Sequence, residues 1–263
     1  MGQDRGLVLA QYYTDFNNDT LGSIPNDWSE AWNSYNGEAY VEESSIVSSG
    51  WESLVGPKYL RYLDIGVYVR RGLRYDGLAE SVISEIRGIF QSSRPASPDS
   101  IVTLVLCGGG LTSGTRTGYV LFIRAGDGNY QIRRKLNGSS ATVASGTLPS
   151  NYANQDTGNS FHGRLEVVES GGSNVIVRSK VWSTLNTEPT VWDLAYEDTS
   201  PLSAGWQAFG NTGLESFYGA GRVGIGTNGD PAPTAPIPSG PTTPTDLITS
   251  NITANSFRAG WTP

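Results

Sequence analysis

The residues of this chain that could do acid–base chemistry are its carboxylates, and a paired acid and nucleophile of the kind that hydrolyses glycosidic bonds is one arrangement they could take. An acid and a nucleophile carried on one strand need even spacing, because successive side chains face opposite ways. Their carboxyl groups must also lie about 5 Å apart. The spacings Glu-x-Asp-x-Glu and Glu-x-Asp-x-x-Glu, which carry such groups on one strand, are absent. Glu166 and Glu169 would face opposite sides of a strand, as would Glu80 and Glu85, while Glu42-Glu43 and Glu197-Asp198 are adjacent. A pair drawn from separate strands stays open, so a glycoside hydrolase or lyase is the alternative reading. A Ser-His-Asp arrangement would depend on His162, the single histidine, in Phe161-His162-Gly163-Arg164, where a loop or strand-edge role is expected. One His and one Cys cannot make a zinc site. The glycine-rich runs 108–114 and 224–229 lack the Lys-Ser/Thr of a phosphate cradle. Calcium is the one cofactor with donors in place: Asp15, Asn17 and Asp19 alternate, and Asp127 and Asn129 form a second pair. The first set lacks the glycine and terminal glutamate of an EF-hand, and turn-forming roles account for both sets.

Saccharide binding is the chemistry that the aromatic residues leave open, because sugars stack on flat rings flanked by Asn, Asp and Arg donors. Trp28, Trp32, Tyr35, Tyr40 and Trp51 stand among Asn, Ser and Glu near the N-terminus. Trp32, Tyr35 and Trp51 are the candidate ligand-binding residues. The competing account is that these rings pin loops onto the fold or meet a neighbouring subunit. Trp182, Trp192 and Trp206 are assigned to core or rim packing.

Composition narrows the partners. Net charge is −7 and the longest basic run is Arg133-Arg134-Lys135, so no phosphate-tracking surface and no nucleic-acid partner are expected. Cys107 is the only cysteine, which excludes an intrachain disulfide, and its apolar surroundings suit a buried, inert thiol. No run approaches the about 18 apolar residues of a membrane span. The apolar run 6–10 is too short for a signal-peptide core. The protein is therefore expected to work inside a cell or to leave by another route, such as assembly into a particle released by lysis.

These residues need elements to hold them. Gly 33, Pro 14, Trp 7 and Tyr 13 in 263 residues favour many short strands and tight turns around one large core. Residues 174–182 alternate, with Val175, Val177 and Val181 on one face and Arg178 and Lys180 on the other, which predicts a strand between core and water. Residues 119–124 and 130–136 predict a β-hairpin about a Gly/Asp turn. The run 101–107 reads as a central strand. Residues 79–90 fit either a helical stripe or a strand; the β-branched residues and Gly88 favour strand. Six prolines between residues 231 and 244 mark an extended linker.

Several short motifs share a resemblance. They are Asp15-Phe16 with Leu21-Gly22-Ser23; Gly163-Arg164-Leu165; Lys180-Val181-Trp182; Glu188-Pro189 with Trp192; Ser203-Ala204-Gly205; and the run from Gly224 to Pro233. With these, residues 10–233 resemble the concanavalin A-like lectin/glucanase domains of bacteriophage tail and virion proteins. After the linker, Pro244, Leu247, Ile252, Phe257 and Trp261 resemble the opening of a fibronectin type III domain. The resemblance implies an all-β, two-sheet antiparallel jelly-roll sandwich over 1–227, a Pro-rich linker over 228–244 and an incomplete fibronectin-like β appendage over 245–263. The fold hosts lectins, glycosidases and structural modules alike; the absent carboxylate motif makes a non-enzymatic protein the expectation, and the resemblance implies its setting as a structural or attachment component of a virion (tail, fibre or surface decoration). Its expected partners are other virion subunits, further copies of itself as a homo-oligomer, and host-surface carbohydrate.

Overall fold

The structure, a computed structural model, describes residues 11–34, 38–43, 55–63, 69–92, 101–112, 114–124, 128–148, 159–213 and 218–235. Among these, the chain forms strands β1 (Gln11–Thr14), β2 (Trp28–Ser34), β3 (Glu38–Glu43), β4 (Lys58–Leu63), β5 (Val69–Tyr75), β6 (Ser84–Ser92), β7 (Ile101–Gly109) and β8 (Thr117–Arg124). It continues with β9 (Asn129–Leu136), β10 (Ser139–Thr147), β11 (Asn159–Gly171), β12 (Asn174–Ser183), β13 (Leu194–Asp198), β14 (Trp206–Gly213) and β15 (Tyr218–Thr227). One antiparallel sheet runs β13-β12-β11-β6-β15-β4-β3, with β1 also pairing β15; the second runs β10-β9-β8-β7-β14-β5-β2. The two sheets form the expected all-β antiparallel sandwich. The ambiguous segment 79–90 contributes strand β6, the 101–107 run becomes β7, and the 119–136 hairpin is β8–β9. Asn137 (φ 48°) and Gly138 (φ 82°) turn β9 into β10, the two-residue positive-φ turn that an Asn-Gly pair favours. No helix among the described residues is long and apolar enough to cross a membrane.

Period-two alternation builds the core. The first sheet sends in Ile86 and Phe90, Leu165 and Val167, Val175 and Val177, and Val223 and Ile225. The second sheet answers with Leu104 and Leu106, Leu121 and Ile123, Ile132 and Phe209. A second apolar cluster lies on the other face of the second sheet and includes Trp32, Val105, Val120, Phe122 and Trp206.

One polar clamp joins the sheets at an edge. The buried Tyr119 hydroxyl donates to Asp198 Oδ2 at 2.7 Å and accepts from the Leu202 amide at 3.1 Å. Arg134 Nε also donates to Asp198 Oδ2 at 2.7 Å. Burial alone would raise the Asp198 carboxyl; donors on Tyr119, Arg134 and the Ser200 amide reverse this and hold it below the usual range. Strands β8 and β9 of one sheet are thereby tied to β13 of the other.

The chain beyond β15 stays on the sandwich as far as it is described. A Cβ on Gly224 would come within 2.1 Å of the Pro233 carbonyl, and one on Gly226 within 2.0 Å of the Asp230 carbonyl. Only glycine lets residues 230–233 lie so close across β15. Gln11 Nε2 holds them there through the Pro231 carbonyl at 2.7 Å. The expected fibronectin-like appendage, 245–263, falls outside the described residues.

Replacing Tyr119 with Phe removes one donor and leaves the buried Leu202 amide without its acceptor. The expected loss of stability is about 1–3 kcal/mol. It should show in urea unfolding as a lowered midpoint at unchanged slope; an unchanged midpoint would refute the clamp.

Candidate functional site

The outward side chains of the first sheet line up in rows across strands. Register places Arg87 of β6 opposite Arg164 of β11, and Arg164 opposite Lys180 of β12. Like charges directly opposite one another on a sheet destabilise it. Loop 184–193 folds over this row and supplies the counter-charge. Glu188 Oε1 accepts from Arg164 Nη1 at 2.5 Å and Lys180 Nζ at 3.1 Å, and Oε2 accepts from Arg87 Nη2 at 3.1 Å. Burial works to raise the Glu188 carboxyl, but the hydrogen bonds from Arg164 and Lys180, with the charges of Arg87 and Arg164, bring it down to about 2.

The next row holds Glu85, Glu166 and Arg178. Arg164 Nη2 donates to Glu85 Oε2 at 3.0 Å, and Arg178 Nε donates to Glu166 Oε2 at 2.5 Å. Trp192, from the same loop, packs among Arg164, Arg178 and Lys180, whose charged groups lie 4.4–4.8 Å from its ring centroid. Lys180 was expected to face water. It is buried, because loop 184–193 covers it and the Pro189 carbonyl accepts from its ammonium at 2.6 Å.

Could Glu85 and Glu188 act as an acid and nucleophile? Arg164 binds both, and the Glu85 side chain is only 2% exposed. A carboxylate so enclosed cannot meet a glycosidic oxygen, and the guanidinium between the two does not relay protons.

Beside this network lies a recess of about 80 Å³ lined by Tyr13, Arg87, Gly88, Ile89, His162, Arg222, Pro233 and Thr234. Four strands (β1, β6, β11 and β15) and the post-β15 segment meet here, and a defect in β15 shapes it. The register shifts between Gly221 and Val223, leaving Arg222 as the extra residue of a β-bulge. Bulges re-aim side chains in this way. Arg222 is exposed and makes no hydrogen bond or ion pair among the described residues. Arg87 uses one nitrogen on Glu188 and rests 5.9 Å from the Trp182 ring centroid. His162 stacks on Trp182 at 4.7 Å with planes 9° apart, and neither its ring nitrogens nor the Tyr13 hydroxyl has a hydrogen-bond partner among the described residues. Burial, aided by the charge of Arg87, lowers the imidazole pKa to about 4, so the ring is neutral at physiological pH.

The candidate aromatics lie elsewhere. Trp32 is 3% exposed, on the outer face of the second sheet. Its indole rests against Gly72 and Gly210, where a Cβ would collide with it, and Arg116 stands 5.0 Å over the ring. No open ring face is left for a sugar. Tyr35 and Trp51 fall outside the described residues. The Asp15–Asp19 oxygens are engaged in a turn: Asp15 Oδ1 accepts the Asn17 amide, Asn17 Oδ1 accepts the Lys58 amide, and the Lys58 ammonium donates to the Asp19 carbonyl. No cluster of three or more potential metal ligands occurs among the described residues.

Sequence reading set His162 aside and did not single out Tyr13, Arg87 or Arg222. The available signal was alternation: with Phe161 and Leu165 in the core, His162 and Arg164 must face outward together.

No family model matches the chain, and no curated protein does. Solved structures give weak likenesses. The exoplasmic/lumenal domain of VIP36 in its Ca2+-bound form has a TM-score of 0.48 at 13% identity, over 83% of this chain and 90% of that one. The carbohydrate binding module CBM66 from Bacillus subtilis has a TM-score of 0.44 at 11% identity, over 76% of this chain and 96% of that one. The metal-free carbohydrate recognition domain of Emp46p has a TM-score of 0.45 at 11% identity, over 76% and 87%. Likeness at this level transfers no site residue.

Two measurements check this face. Glu188→Gln exposes the cation row to its own repulsion and should lower stability by about 1–3 kcal/mol at neutral pH. His162 gives a pH signature. An unfolded imidazole takes up its proton near pH 6.5, whereas the folded one resists until about 4. Between those values the unfolded chain binds more protons, so this residue makes stability fall as pH falls. The stability of the wild type relative to His162→Gln should therefore decline from pH 7 to pH 4 in urea unfolding. Parallel profiles would contradict the neutral, buried imidazole.

Proposed function

We propose that this chain is a carbohydrate-binding attachment module that holds its saccharide without cleaving it. One observation carries the reading: the recess on the outer face of the first sheet gathers Tyr13, His162 and Arg222, none of them hydrogen-bonded among the described residues, beside the partly committed Arg87. Rings next to uncommitted donors are what a sugar needs, one surface for its C–H face and partners for its hydroxyls. The carboxylates nearest this recess are bound by arginine and lysine, which suits retention rather than hydrolysis.

The setting we propose is a virion, as a tail, fibre or surface-decoration component, with other virion subunits as neighbours. Its support is the sequence resemblance to phage modules and the Pro-rich segment suited to tethering. Many displayed copies would add weak single contacts into useful avidity.

The test is a glycan array and a host-cell binding assay on the purified chain, with product analysis of any retained polysaccharide. Retention without new reducing ends is expected, and Tyr13→Ala should weaken it about tenfold, as loss of an aromatic anchor does. Release of reducing ends would overturn the non-hydrolytic reading, and no retention on any saccharide would leave an architectural role.

A further inference from the structure

We infer that the recess selects a saccharide carrying an anionic group, a carboxylate or a sulfate, and that Arg222 is the residue that reads the charge. This inference rests on the carbohydrate-binding reading above and adds to it the ligand class.

The lining argues for an anion. It contains two arginines and no acidic residue, in a chain whose net charge is −7. The surrounding face is also cationic: Arg87, Arg164, Arg178, Lys180 and Arg222 stand against Glu85, Glu166 and Glu188. Glu188 does not neutralise the recess, because it is shared among Arg164, Lys180 and Arg87. That leaves Arg222 without a counter-ion among the described residues, re-aimed by its bulge. A guanidinium offers a planar fork of donors that matches two oxygens of a carboxylate or sulfate.

The other walls argue for a sugar bearing that anion rather than a free ion. His162 is neutral, so its ring presents one N–H donor and one acceptor, which together suit a hydroxyl. Tyr13 adds a ring and a hydroxyl, and the Pro233 and Thr234 end of the recess limits its length. A volume of about 80 Å³ admits a charged substituent with part of its ring, not a run of several sugars. Recognition therefore falls on a terminal or side-branch residue.

The experiment uses the full chain and matched probes: oligogalacturonate against its methyl ester, and dextran sulfate against dextran. Calorimetric titration should show the charged member of at least one pair binding about tenfold or more tighter than its neutral partner, the scale of a charge-assisted hydrogen bond. That preference should shrink with added salt. Arg222→Gln should abolish it, while Arg222→Lys should restore part of it; unchanged thermal unfolding would show that both variants remain folded. The carboxylate and sulfate arms identify which anion is read. Equal binding of charged and neutral partners, or a preference that survives in Arg222→Gln, would overturn the inference while leaving carbohydrate binding in place. Binding of none of these probes, or of any array glycan, would remove both.

Discussion

Three cations placed side by side on neighbouring strands form an arrangement a sheet does not tolerate alone, and much of this molecule is organised around resolving it. Register in the first sheet aligns Arg87, Arg164 and Lys180. The Glu188 carboxylate accepts from all three, which fixes loop 184–193 against the sheet. Once that loop is down, Trp192 caps the arginines and Lys180 is buried with its ammonium satisfied. Arg87 is held at the boundary between this network and the recess, near Trp182, on which His162 stacks. A charge conflict thus becomes a paired floor beside the recess, and the binding reading depends on that floor.

The two faces of the first sheet use different physics. Inside, apolar alternation from both sheets supplies most of the core, and the Tyr119, Asp198 and Arg134 clamp set into it is hydrogen-bonded across the two sheets. Outside, little is apolar and structure comes from pairing. The close approach of residues 230–233 across Gly224 and Gly226 is part of the same face, and it sets Pro233 and Thr234 as one end of the recess. The segment that reads as the start of a linker therefore also builds the site. Several motifs noted for their resemblance prove to be pieces of this surface: Gly163-Arg164-Leu165, Lys180-Val181-Trp182, Glu188-Pro189 with Trp192, and the run from Gly224 to Pro233.

Much of the fold was legible because it follows from local alternation. The faces of β12, the β8–β9 hairpin and the choice of strand over helix at 79–90 all rest on side chains a few residues apart. The Asn137-Gly138 turn between β9 and β10 rests on an equally local signal. The burial of Lys180 was not legible, because its cover comes from a loop whose path the strand pattern does not contain. The polar stretch around Trp32 leaves a sugar-facing ring and a packing ring both open; the ring lies against Gly72 and Gly210, residues far along the chain from it.

Sequence by itself determined that the chain is all-β and sandwich-forming, that one histidine and one cysteine exclude several chemistries, and that the spacings Glu-x-Asp-x-Glu and Glu-x-Asp-x-x-Glu are absent. Tertiary structure alone decided which charged residues meet. Arg87, Arg164 and Lys180 come from strands β6, β11 and β12, and their alignment is a matter of cross-strand register, which depends on how β6 pairs with β11 across more than half a sheet of intervening chain. The bulge that turns Arg222 into the recess is likewise invisible in a run of glycines, since it exists only as a mismatch between β15 and β6. Alternation is a property of a strand and can be read along it. Register is a property of two strands, settled only when both are buried against the same core.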